Sequence, residues 1–93
     1  MEAKFAAAWQ ANRNQAAIHG IRMRSVEEAD AVKNAKRILS GNRLSDGFND
    51  LAAKGLLKLS LEALVIDKRF TALFTDEEAN EALSRLLEAG YRF

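Results

Sequence analysis

Thr75-Asp76-Glu77-Glu78-Ala79-Asn80-Glu81-Ala82-Leu83-Ser84-Arg85-Leu86-Leu87-Glu88-Ala89-Gly90 holds a helix start, a helix face and a helix stop in one run. Thr75 and Glu78 have the T-x-x-E spacing of a capping box, in which each side chain satisfies a free backbone N–H at the helix start. Phe74 is placed to staple against Ala79. Ala79, Ala82, Leu83, Leu86 and Leu87 then share one face at helical spacing, with Glu77, Glu81, Arg85 and Glu88 on the other. Gly90 ends the helix, and Tyr91 follows where the hydrophobic contact of a Schellman stop belongs.

The same signals recur upstream. Ser25-Val26-Glu27-Glu28 is a second capping box, followed by an apolar stripe of Ala31, Val32, Ala35, Ile38 and Leu39 and a stop at Gly41, which predicts a helix over Val26 to Ser40. On its opposite face stand Asp30, Lys33 and Arg37, and Asp30 can pair with Lys33. The first segment, Glu2 to Ile18, is alanine-rich and reaches no breaker before Gly20. Phe5, Trp9 and Ala16 fall on one side of it and Ala7, Ala11 and Ile18 on another, a pattern suited to a helix contacted from two sides.

Ser45-Asp46-Gly47 gives turn and cap signals ahead of a short helix from Phe48 to Lys54, closed by Gly55. Ser60 can cap a fourth helix through Leu61, Leu64 and Val65, although Ala63 to Ile66 also reads as a buried strand. Phe70, Leu73 and Phe74 resume the helical spacing. Ile21-Arg22-Met23-Arg24 alternates apolar and basic residues, as a short strand or a connector does. The expectation is an all-α fold, a compact array of about five short helices in one domain over residues 1–93. The alternative is α+β, with residues 21–24 and 63–66 forming a minor two-stranded element.

Composition narrows the chemistry. A chain of 93 residues buries only roughly 60 to 65% of its unfolded surface, so its stability margin is thin. There is no cysteine, which removes disulfides, thiolate catalysis and thiolate metal sites and fits a reducing, cytoplasmic setting. The longest apolar runs are far too short for a signal sequence or a membrane span. His19 is the sole histidine, so this chain cannot assemble a two-histidine zinc site by itself. At a helix end, His19 is accounted for by the helix dipole, and no nucleophile or orienting partner accompanies it as a general base. Glu77, Glu78 and Glu81 cluster where the dipole of a helix favours negative charge, and no phosphate loop, nucleophile elbow or calcium loop is present. No catalytic, cofactor-binding or metal-binding residue is expected, and the chain reads as a non-enzyme.

Recognition remains. Phe5, Trp9, Tyr91 and Phe93 lie near the two ends, where aromatic side chains either fold back on the core or anchor a protein interface. Residues 1–58 carry ten Lys and Arg against six Asp and Glu, a balance of +4, whereas residues 59–93 carry four against seven, a balance of −3. Arg13, Arg22, Arg24, Lys33, Lys36, Arg37 and Arg43 form the candidate basic surface for phosphate contact. Residues 45–66 have the outline of a helix-turn-helix. Leu61-Glu62-Ala63-Leu64-Val65-Ile66, however, presents core residues and an acid where base-reading side chains belong. The leading expectation is a small helical adaptor or regulator that binds protein and forms a homodimer. The alternative is a nucleic-acid-binding module using the basic surface.

Overall fold

The structure, a computed structural model, describes residues 2–23, 28–41 and 44–91. Among these, five α-helices carry the fold and there is no strand: α1 Glu2–Ile18, α2 Ala31–Ser40, α3 Phe48–Ala53, α4 Leu61–Val65 and α5 Asp76–Glu88. Short 3-10 turns, Glu28–Asp30, Leu57–Leu59 and Thr71–Leu73, precede α2, α4 and α5. The all-α expectation stands. The minor two-stranded alternative does not, because residues 21–23 pair with nothing as strand and residues 63–65 belong to α4. Arg24 lies outside the described residues.

The helix signals work locally. Thr75 accepts from the Glu78 N–H at 3.1 Å, and Glu78 Oε1 accepts from the Thr75 N–H at 2.8 Å, which closes the capping box of α5. At its other end the Gly90 N–H donates to Leu87 at 3.0 Å and the Tyr91 N–H to Leu86 at 2.9 Å, the Schellman pattern. Ser60, fully buried, donates to the Leu57 carbonyl at 2.7 Å and accepts from the Ala63 N–H at 3.2 Å, so one hydroxyl ends a 3-10 turn and starts α4.

The α2 helix is shorter than its sequence pattern. A 3-10 turn occupies Glu28–Asp30, and Asp30 enters the helix at φ −111° with no side-chain cap, so the α-helix begins at Ala31 rather than at Val26. The proposed box residues Ser25, Val26 and Glu27 lie outside the described residues. Asp30 and Lys33 are both exposed and form no ion pair among the described residues.

Phe5 is the hub of the core. Its ring meets Trp9 at 5.9 Å, Phe70 at 5.3 Å and Phe74 at 5.3 Å between centroids, each edge to face. This is the geometry in which the positive edge of one ring meets the negative face of another. Ile21, Leu51, Leu57, Leu61, Val65, Ala82 and Leu86 complete the interior. The second apolar face expected of α1 is not buried: Ala7 and Ala11 are exposed and Ile18 is 74% exposed. The helix packs from one side because no element among the described residues covers those three positions.

On α5 the buried face is Ala82, Arg85 and Leu86, while Leu87 is 55% exposed. The sequence pattern places Arg85 on the solvent face and Leu87 in the core, and the structure reverses both. An arginine can occupy a core position only if its donors find acceptors, and Arg85 has them.

Candidate functional site

Arg85 and Glu62 are the buried charges among the described residues. Arg85 Nη1 donates to Glu62 Oε2 at 3.3 Å, Nε donates to Glu81 Oε2 at 2.6 Å, and Nη2 reaches the carbonyls of Ile38 at 3.2 Å, Leu39 at 3.4 Å and Gly41 at 3.0 Å. Those carbonyls cluster at the negatively polarised end of α2, where a cation is favoured. Glu62 accepts in addition from the Ser45 hydroxyl at 2.5 Å and the Ser45 N–H at 3.2 Å. One ion pair therefore joins α2, α4, α5 and the chain leading into α3. No buried side-chain N or O among the described residues lacks a partner, so this cluster presents no idle acid or base to a substrate.

A different arrangement forms at the end of α1. The Gly20 N–H donates to Ala17 and the Ile21 N–H to Ala16, both at 3.0 Å, with Gly20 at φ 76°. This Schellman stop reverses the chain and tucks Ile21 into the core. Ile21 and Met23 are 2% and 6% exposed, and Arg22 between them points to solvent. The alternation seen in the sequence is real, but it belongs to an extended connector. That connector crosses Gly47, whose φ is 79° and where a Cβ would sit 2.9 Å from the Arg22 carbonyl and 3.1 Å from Ile21 Cγ2. Only glycine fits there without displacement.

The reversal opens a surface cleft of about 580 Å³ lined by Arg13, Ala17, Gly20, Ile21, Arg22 and Met23. Arg13 Nε donates to the Met23 carbonyl at 3.0 Å, which fixes the guanidinium plane against the connector. Lys54, from beyond α3, donates to the His19 carbonyl at 2.7 Å and brings a further cation to the same turn. His19 itself is exposed at the helix end.

The candidate basic surface therefore divides. Arg13 and Arg22 share the cleft. Lys33 and Arg37 are exposed on α2. Lys36 is committed elsewhere, bonded to Glu78 Oε1 at 2.7 Å and seated 5.4 Å from the centre of the Phe74 ring. Arg24 and Arg43 lie outside the described residues. Burial pushes the Glu78 carboxyl up, but hydrogen bonds from Lys36 and from Thr75 outweigh it and hold the group below its ordinary value. The Arg69 guanidinium bonded to Asp67 likewise holds that carboxyl low.

The candidate aromatic anchors divide as well. Phe5 and Trp9 are 0% and 4% exposed, so they fold back on the core and offer no ring surface to a partner. Tyr91 is half-buried and packed on the core. Phe93 lies outside the described residues. Among the described residues no group of His, Cys, Asp and Glu is arranged to hold a metal ion, and no helix is long and apolar enough to cross a membrane.

Comparison of the chain with protein-family models, with curated proteins and with solved structures finds no match.

Sequence reading named Arg13 and Arg22 but not their convergence, and it missed the Arg85 and Glu62 pair. The one available signal was Glu62 itself, a lone acid inside the apolar run Leu61 to Ile66.

Proposed function

We propose that this chain is a small non-catalytic helical adaptor or regulatory protein that acts in the cytoplasm by binding another protein. The observation that carries the reading is how its ionisable groups are divided. Arg85 and Glu62, the buried pair, are saturated by structural partners, whereas Arg13 and Arg22 stand together at an open cleft. A general acid or base must be free to reach a substrate proton, and the buried acid here is bonded on both oxygens. Recognition by arginines at an open, partly apolar cleft is what such a division serves.

The partner can be a second copy of the chain. Self-association would draw on Ile18 and Leu87, which are 74% and 55% exposed, rather than on Phe5 and Trp9. Nucleic acid is the weaker reading. Non-specific binding to a duplex rests on several cations along the backbone, and Lys36 is already paired with Glu78.

The test is a pull-down from the source cell, split into nuclease-treated and untreated halves, together with light scattering of the purified protein. The reading expects a protein partner that survives nuclease, or a mass above the monomer. A strict monomer that retains only nucleic acid contradicts it.

A further inference from the structure

The cleft at the end of α1 has a definite chemical character. Among the described residues that line it, Arg13 and Arg22 are cationic and none is acidic, and the others, Ala17, Gly20, Ile21 and Met23, are apolar or lack a side chain. Arg13 is held in place through Nε alone. Its two terminal nitrogens have no partner among the described residues, and Arg22 has none for its side chain. An arginine whose plane is already fixed loses less rotamer freedom on gaining a second hydrogen-bonded partner.

We propose that this cleft binds an acidic segment of a partner protein in which carboxylates alternate with aliphatic side chains. The inference rests on the protein-binding reading above and names the chemistry of the partner. The carboxylates take the free nitrogens of Arg13 and Arg22, because planar guanidinium and carboxylate groups match in bidentate geometry. The aliphatic side chains lie against the exposed Ala17 methyl and the mouth of the cleft above Ile21 and Met23, area that stays in water when the cleft is empty. A phosphate backbone satisfies the arginines equally well but has nothing to place on the apolar lining. That difference favours a peptide.

The experiment uses the full chain and fluorescence anisotropy of a short dye-labelled peptide of alternating Glu and Leu. Its Gln/Leu counterpart and a dye-labelled DNA duplex are run beside it. The Glu/Leu peptide should bind saturably and the Gln/Leu peptide should not. Arg22→Glu should weaken binding by about tenfold or more, the scale of losing a charge-assisted bond and facing a like charge. Lys68→Glu makes the same change in net charge at an exposed position outside the cleft and should shift affinity by less than about twofold. Arg13→Lys keeps the charge but loses the fixed plane, and should fall between them; circular dichroism confirms that each variant is folded.

No saturable binding of the Glu/Leu peptide, equal binding of both peptides, equal effects of Arg22→Glu and Lys68→Glu, or tighter binding of the DNA would each overturn the proposal. If a nuclease-resistant partner is captured equally well by Arg22→Glu, the adaptor reading survives and the cleft assignment falls. If no partner is captured and light scattering shows a strict monomer, the adaptor reading falls with it.

Discussion

Arg85 Nη1 lies 3.3 Å from Glu62 Oε2, and the two side chains are 7% and 0% exposed. Neither charge is tolerable alone at that depth. Arg85→Met should therefore cost about 3 to 5 kcal/mol, much of it from leaving Glu62 buried without its cation. For a domain of this size that is a large part of the total stability, about 5 kcal/mol or somewhat more. The double variant Glu62→Leu/Arg85→Met should be less destabilised than the sum of the two single changes, because neither ion is then left unpaired. Urea denaturation of the four proteins in the cycle measures this, and strict additivity would show that the pair is not coupled.

A second expectation concerns the crossing of the connector over Gly47. Gly55 has φ 70° with open space around its Cβ position, so Gly55→Ala should cost only the backbone strain, about 1 to 2 kcal/mol. Gly47→Ala has similar strain at φ 79° plus a methyl 2.9 Å from the Arg22 carbonyl. It should be the more damaging of the two in thermal denaturation, and equal losses would remove the close approach as a cause.

Acid should weaken the junction of α2 and α5. The Glu78 carboxyl lies below its ordinary value of 4.5. The stability it contributes is thus fully present above about that pH and is lost as pH falls through the folded-state value. Lys36→Met should reduce this loss, and Glu78→Gln should remove it while costing about 1 kcal/mol or less near neutrality through the weakened capping box. Urea midpoints measured between neutral and acidic pH test the sign. A Glu78→Gln protein whose acid sensitivity equals that of the parent would contradict it.

The one-sided packing of α1 makes a contrast that is simple to measure. Phe5→Ala removes the hub of four aromatic rings and should cost about 3 to 5 kcal/mol. Ile18→Lys, at a side chain 74% exposed, should change stability by no more than about 0.5 kcal/mol. Marked destabilisation by Ile18→Lys would mean that a second face of α1 is covered after all.

What could be read from the sequence follows the range of each interaction. Thr75 with Glu78, Ser60 with Ala63, and Gly90 with Leu87 all act within three residues, and the residue types alone signalled them. Arg85 reaches Ile38, 47 positions away. Helical periodicity sorts residues by polarity and has no means of knowing that α2 would end against that arginine. Leu87 moved outward for the same reason, since the buried face of α5 is centred on its neighbours Arg85 and Leu86. The charge imbalance between the halves was visible, but Lys36 of the basic half is bonded to Glu78 of the acidic half. Arg13 and Arg22 were legible as cations. Their meeting at one cleft required the chain reversal at Gly20 and the crossing at Gly47, a tertiary contact.

The most direct measurement is a comparative, nuclease-treated pull-down from the source cell with the parent protein, Arg22→Glu and Lys68→Glu as baits. Protein binding through the Arg13 and Arg22 cleft expects a partner retained by the parent and by Lys68→Glu and lost with Arg22→Glu. Retention of that partner by all three baits, or recovery of nucleic acid alone from the untreated sample, would contradict it.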